Sequence, residues 1–373
     1  MPLSAVAVII LRIMVKASPL ENIHRANGAG FREEDGWRLP LHFGTSLDEY
    51  HAVRSRVGLL DHCDRTLLRF TGEDRVPFLQ GMVSNDVTKL RPGQGMFAAF
   101  ADIQGKILAD AEIFCTEDSF FVELRETLKD KIQAHLQRYL IADEVEIADL
   151  TGNCGILSLQ GPKSTQLLEA LLGSQVLPDH ELSHGELQID AHRCRVARTT
   201  HTGESGFDLW ISVSDLPVIA ALIQEKGRAF STQWIGTEAQ EILRVEAGIP
   251  RYGVDMDDEN LVLETNLDHA VNFDKGCYLG QEVIERIHSR GHINKKLVGM
   301  VLEGEGPAQR GDRIQAETKE VGRVTSSVLS PLLNRPVALG YVHKDYVNPG
   351  TPLTIQGDGK PFTAMVSPLP FKS

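Results

Sequence analysis

The feature that most limits what this chain can fold into is a pattern that returns at a fixed distance. Leu68-x-Phe70-x-Gly72, followed by Phe78-Leu79, comes back 89 residues later as Leu157-x-Leu159-x-Gly161, followed by Leu167-Leu168. Phe121, which opens a later strand pattern ahead of a helix pattern, has a counterpart in Phe207, 86 residues on. Apolar alternation closed by glycine and followed by paired apolar residues describes a strand, a turn and a helix. Its return describes a degenerate duplication of one mixed strand–helix module. Two such modules facing each other leave a cleft between them, a common ligand position.

Local patterns fill in the modules. Ser46-Leu47-Asp48-Glu49 has the form of a capping box, which starts a helix running to about Gly58 with Ala52, Val53 and Val57 as its apolar stripe. Residues 66–70 alternate as a strand, and residues 76–82 follow as a helix. A hairpin is expected next, with arms 96–101 and 107–114 around the turn Asp102-Ile103-Gln104-Gly105. Strand alternation puts Ile107, Ala109, Ala111 and Ile113 on one face of its second arm, and Leu108, Asp110, Glu112 and Phe114 on the other. A strand at 120–124 leads to an amphipathic helix at 126–140, with Leu128, Ile132, Leu136 and Leu140 four apart. After about Asn294 helix patterns vanish. Short alternating stretches at 297–302, 321–329, 338–342, 353–355 and 362–366 are separated by Gly and Pro, which predicts a small all-β barrel. The expected fold is α+β: two modules over about 18–150 and 151–294 around a cleft, then a barrel over 295–373.

At 373 residues the chain is too long for one ordinary core, in keeping with several domains. The formal charge of −13 repels nucleic acid overall, so no direct nucleic-acid role is expected. The five cysteines are Cys63, Cys115, Cys154, Cys194 and Cys277, an odd count with no C-x-x-C pair. That argues against a disulfide framework and a self-contained metal site, and makes a reducing cytoplasm the natural home. Residues 2–15 are almost all apolar but too few to span a bilayer, so no membrane role is expected. Met14-Val15-Lys16 has the character of a protein start, and translation is expected to begin there.

Standard catalytic signatures are missing: no G-x-G-x-x-G, no G-x-x-x-x-G-K-[ST], no H-E-x-x-H and no G-x-S-x-G. The densest segment is Lys275-Gly276-Cys277-Tyr278-Leu279-Gly280-Gln281-Glu282, continuing to Arg286 and Gly291. Residues 281–287 have a helix pattern, which puts Cys277 just ahead of a helix N-terminus. The helix dipole and Lys275 would both favour a thiolate there. The residues alone leave two readings open, a reactive or ligand-binding thiol and an inert packed cysteine. Arg286, Arg290, Lys295 and Lys296 form a basic run that could attract an anionic group, or a solvated face.

Lys-Gly-Cys-Tyr-x-Gly-Gln-Glu followed by Arg and Gly resembles the signature of YgfZ-type folate-binding proteins, which support iron–sulfur protein maturation. Glu264-Thr265-Asn266-Leu267 and Asn272-Phe273 fit the same family. From about Ser18 to its end the chain is similar to the wider glycine-cleavage T-protein (aminomethyltransferase) superfamily. The similarity runs through Tyr50-x-Ala52-x-Arg54, Asn85-Asp86-Val87, residues 105–110, Leu159-Gln160-Gly161-Pro162, Thr202-Gly203-Glu204, Leu243-Arg244-x-Glu246 and the C-terminal segment.

The resemblance implies a tetrahydrofolate or one-carbon derivative as ligand. A carboxylate can accept a pterin's adjacent N–H and amino groups together, and Glu204 matches the position that does so. Asp110 matches the acidic position beside the reacting folate nitrogens. That family commonly carries two acidic residues in a row there, and Ala109 replaces the first. Asn85, Arg244, Lys275, Tyr278, Gln281 and Arg286 are the further expected folate-binding residues, with Cys277 and Asp110 as the chemical ones. No resident metal is expected. Two functions follow. One is an accessory role in iron–sulfur assembly or repair, with transient client or assembly proteins as partners. The alternative is aminomethyl transfer in glycine cleavage.

Overall fold

The structure, a computed structural model, describes residues 15–291, 293–357 and 361–371, without the Arg290 side chain. The expected start at Met14 lies outside the described residues.

The duplication is visible strand by strand. The first sheet has the order Gly95–Ala101, Ile107–Cys115, Phe120–Arg125, Arg65–Thr71, Glu146–Asp149. The second has the order His184–Ile189, His192–Arg198, Gly206–Ser212, Cys154–Gln160, Gly58–Asp61, with Gln233–Trp234 added at its edge. Each module therefore runs strand, helix, hairpin, strand and helix in sequence, and lays its strands in the same spatial order. Register fixes the equivalences: Phe70 pairs with Phe120, and Leu159 with Phe207. Phe207 thus corresponds to Phe120 rather than to Phe121, an offset of 87.

The modules also exchange their leading strands. Gly58–Asp61 precedes the first module in sequence but pairs with Cys154–Gln160 of the second. Glu146–Asp149 precedes the second but pairs with Arg65–Thr71 of the first. Gly72 and Gly161 sit where the exchanged chains cross. Both have positive φ, +103° and +128°. A Cβ on Gly72 would lie 1.9 Å from the Glu144 carbonyl, and one on Gly161 would lie 2.5 Å from the Arg56 carbonyl. Only glycine fits either position.

Each module packs its helices on the apolar face of its sheet. Phe70, Phe100, Ile113 and Leu136 are fully buried in the first core, and Leu59, Leu159, Phe207 and Ile223 in the second. The two sheets meet through Phe114 and Trp210, whose rings lie edge to face at 4.8 Å. The hairpin arms, Gly95–Ala101 and Ile107–Cys115, and the Arg75–Met82 helix follow the alternation closely.

Two local expectations change. The Ser46–Ser55 helix is capped by Thr45, whose hydroxyl accepts from the Asp48 N–H at 3.1 Å. Glu49 does not close a capping box. Buried, it accepts from the N–H groups of Phe43, Gly44 and Gly236. The helix expected over 126–140 is a short 3-10 turn, Glu126–Leu128, followed by Lys129–Gln137.

The C-terminal strands close into a barrel: Lys295–Glu303, Arg335–His343, Lys319–Ser330, Arg313–Ala316, Pro352–Gln356 and Phe362–Ser367, the last pairing back with the first. The four-residue strand Arg313–Ala316 is too short to show as alternation. The barrel docks on the Thr237–Ala247 helix. Arg244 reaches Ser326 at 2.7 Å, and Glu246 accepts from Ser330. Among the described residues, no helix is long and apolar enough to cross a membrane, and no group of three or more His, Cys, Asp or Glu side chains is placed to hold a metal ion.

Candidate functional site

A cleft of about 560 Å³ opens between the modules. The first sheet contributes Arg65, Asp110 and Glu112 to its wall, and the loop entering strand Gly206–Ser212 contributes Thr199 and His201. The C-terminal end of helix Thr237–Ala247 and the chain through Tyr252 form another side, and Leu369 and Pro370 reach its rim.

Asp110 and Glu112 arrive together because residues two apart on a strand share a face. Ala109 points the other way, fully buried in the first module's apolar core with Leu68 and Phe100. The absence of a second acidic residue at that position therefore removes nothing from the cleft wall. Burial raises the Asp110 carboxyl above the ordinary carboxylate range, partly offset by the nearby Arg65 and Arg125 cations.

The cleft floor is a buried polar cluster. Glu112 and Glu123 are direct cross-strand partners. Glu123 accepts from Arg65 Nε at 2.5 Å and Trp210 Nε1 at 3.0 Å. Glu112 accepts from the Thr199 hydroxyl at 3.0 Å through Oε1, while its Oε2 has no partner. Burial, reinforced by the Glu123 charge, pushes Glu112 up to about 7. His201 bonds Asp208 at 2.7 Å, and its ring stands 4.4 Å from that of His62. Burial and the adjacent His201 pull His62 down to about 3, and its buried Nε2 lacks a partner. Burial also acts against a charged His201, but the Asp208 carboxylate outweighs it and the net shift is upward.

Of the residues expected at the site, the structure brings Asp110, Asn85 and Arg244 into the cleft wall. Asn85 is held by donation to the carbonyls of Phe97 at 2.8 Å and His269 at 3.3 Å. Arg244 is buried and committed: Nη1 meets Asp255 at 2.7 Å, Nε meets Glu241 at 2.7 Å, and Nη2 meets Ser326. Its helix neighbour Glu246 faces elsewhere, toward Tyr50, Arg54 and Ser330. Positions two apart on a helix do not share a side.

The others stand apart from the cleft lining. Glu204 pairs with Arg54 of the Ser46–Ser55 helix at 2.6 Å. Lys275 does not serve Cys277. Its buried ammonium donates to the carbonyls of Gln80, Val83 and Asn85, each at 2.7 Å, at the end of the Arg75–Met82 helix. Tyr278 packs in a separate apolar cluster beneath Lys275. Gln281 accepts from the Tyr278 N–H and donates to Glu285, so it finishes a helix start. That helix, Gln281–Arg290, begins after Gly280, whose φ is +82° and whose Cβ would lie 2.5 Å from the Asp102 carbonyl. Cys277 is exposed ahead of it. Arg286 is exposed as well. Lys296 pairs with Asp268, and Lys295 lies over the Tyr341 ring, and neither these two nor Arg286 lines the cleft.

Sequence reasoning missed His62, Arg65, Glu112 and His201 as wall residues. Alternation placed Glu112 on the Asp110 face, which was its one visible signal. The two histidines lie 139 positions apart, and only the exchanged strand brings them together.

These features define a class: two interlocked strand–helix modules with a polar-floored small-molecule cleft at their junction, braced by a barrel. Residues 20–275 match the family described as GCVT N-terminal domain, and residues 295–372 match the glycine cleavage T-protein C-terminal barrel domain. The aminomethyltransferase of Rubrobacter xylanophilus is 32% identical over 98% of this chain and 96% of its own length. That of Thermus thermophilus is 32% identical over 96% and 99%. The crystal structure of the glycine cleavage system aminomethyltransferase T from Bartonella henselae superposes with a TM-score of 0.87 at 26% identity, covering 96% of this chain and 98% of that one. The chain belongs to the glycine cleavage T-protein family.

Proposed function

We propose that the cleft binds a reduced folate, tetrahydrofolate or a one-carbon derivative, and that the chain uses it for aminomethyl transfer. The observation that carries this reading is the cleft itself. Its wall offers carboxylates to a heterocycle rich in N–H donors, and two residues of its lining, Glu112 and His62, carry buried polar atoms without partners, Oε2 and Nε2. Buried polar groups without partners are costly, and a bound polar ligand relieves that cost. Asp110 stands in the wall where the family resemblance expects an acidic group beside the reacting nitrogens. The face taken by Ala109 removes the main sequence objection to transfer, and the full-length relatives named aminomethyltransferase support the same reading.

Asp110 accepts a hydrogen bond from the folate and orients it. Asp110→Asn is expected to lower aminomethyl transfer to tetrahydrofolate at least 100-fold while leaving folate affinity within a few fold, the pattern of a group that acts on the reacting atoms. Unchanged turnover would remove Asp110 from that role.

A second reading rests on a separate observation. Cys277 is exposed, outside the cleft lining, on a loop tied on one side by Lys275 and on the other by Gly280 against the hairpin turn. A thiol held this way is available to another protein, as an accessory role in iron–sulfur assembly or repair would need. Complementation of a bacterium lacking its YgfZ-type protein, with wild type and Cys277→Ala compared for iron–sulfur enzyme activity, tests it. Rescue by wild type alone supports this role, and failure of both soluble proteins to rescue removes it.

A further inference from the structure

Three buried carboxylates cluster at the cleft floor, Glu112 in its lining and Glu123 and Asp208 behind it, and they are not equivalent. Glu123 receives donors on both oxygens, from Arg65 and Trp210, so it remains an acceptor. Asp208 is ion-paired with His201 at 2.7 Å through Oδ2, although its buried Oδ1 has no partner. Glu112 has no ion-pair partner among the described residues. Thr199 satisfies Oε1, and Oε2 is buried with nothing to bond. Glu112 also stands directly opposite Glu123 in the sheet, where two like charges are unfavourable. The groups facing it are Asp110 on its own strand, Glu123 and Arg65 on neighbouring strands, and His62, His201 and Asp208 from the second module's side. Of the three buried carboxylates, Glu112 is the one whose protonation relieves repulsion without breaking an ion pair.

We propose that Glu112, as a neutral carboxylic acid, donates a hydrogen bond from Oε2 to an acceptor atom of the heterocycle bound in the cleft. The inference rests on the folate reading above and deepens it. The strand face that lines the cleft then presents Asp110 as an acceptor and, two residues on, Glu112 as a donor. That pattern selects a ring that carries N–H donors next to a carbonyl oxygen, as a lactam does. Glu112 is a specificity-determining residue, and its donor exists only while it holds its proton.

The test is calorimetric titration of tetrahydrofolate into the full-length chain at pH 6 and pH 8, for wild type, Glu112→Gln and Glu112→Ala. With Glu112 titrating near 7, wild type is expected to lose about tenfold in affinity between the two pH values, one pKa unit on either side of the midpoint. Glu112→Gln keeps the shape and carries a permanent N–H donor. It is expected to bind at pH 8 about as tightly as wild type does at pH 6, with no pH dependence. Glu112→Ala is expected to bind weakly at both. A Gln variant whose pH profile matches wild type overturns the proposal. So does infrared difference spectroscopy of wild type that shows no protonated carboxyl band responding to ligand, a measurement that needs no variant to fold. Failure of wild type to bind tetrahydrofolate at either pH overturns the folate reading itself, and this inference with it.

Discussion

Replacing Lys275 by Met separates two roles for this residue that the sequence alone confuses. Its ammonium satisfies three carbonyls, those of Gln80, Val83 and Asn85, at 2.7 Å each. Burial pulls the Lys275 pKa down to about 7, yet only the charged form has three protons to give to three acceptors. The carbonyls lie at the C-terminal end of the Arg75–Met82 helix, where a cation is favoured. Met fills the same volume but donates nothing, and it strands three acceptors. Hydrogen bonds from a charged group contribute about 1.5–3 kcal/mol each, and losses that share one donor do not add fully. A total of about 3–5 kcal/mol follows, among the larger single-site effects. At roughly 2–4 °C per kcal/mol for a unit of 150–250 residues, the melting temperature falls by about 6–20 °C. Differential scanning calorimetry of wild type and Lys275→Met reads this directly. A shift under 1 °C, accompanied by slower alkylation of Cys277, would refute the anchoring role. It would restore the idea that Lys275 acts on the thiol by charge.

Other consequences are as specific. Glu204→Gln, which weakens the pair with Arg54, should cost about 1–3 kcal/mol of stability by urea unfolding and leave folate affinity within twofold. A tenfold affinity loss at unchanged stability would put Glu204 on the ligand. His62 is neutral in the folded state, with its pKa down at about 3, whereas the unfolded chain takes up that proton below about 6.5. The unfolded state therefore binds more protons between those limits, and stability is lost as pH falls from 6.5 toward 3. The loss is on the order of 1.4 kcal/mol per pH unit. His62→Gln should flatten this acid limb in a pH series of unfolding midpoints, and an unchanged slope would show that His62 is already charged when folded.

Much of the fold was legible because it rests on short-range rules. The alternation of residues 107–114, the Asp102–Gly105 turn and the glycines at 72 and 161 each impose a local geometry. The shared 89-residue spacing joined them into two modules. The exchange of leading strands was not legible. A strand of four residues such as Gly58–Asp61 pairs equally well with either sheet in a pattern that records only apolar and polar. For that reason His62 was invisible as a wall residue, although it follows that strand directly.

Alternation put Asp110 on one strand face together with Glu112, because a strand face is a two-way choice, and that face lines the cleft. Glu204 sits on a turn, where sequence does not determine which wall the side chain meets, and Arg54 from a helix 150 positions away takes it. Lys275 shows the same limit in another form. Two positions from Cys277 in sequence, its long stem carries the charge to the end of a different helix.

The central claim is that the cleft between the modules takes a reduced folate, and it is tested most directly by amide hydrogen exchange of the full-length chain with and without saturating tetrahydrofolate. Occupation of the cleft predicts added protection in the strand Ile107–Cys115, which carries Asp110 and Glu112, in residues 199–201 and in residues 247–252, which line it. Exchange in the barrel strand Pro352–Gln356 and at residues 275–280 should be unchanged. No added protection anywhere, or protection confined to the Cys277 loop, would contradict the account.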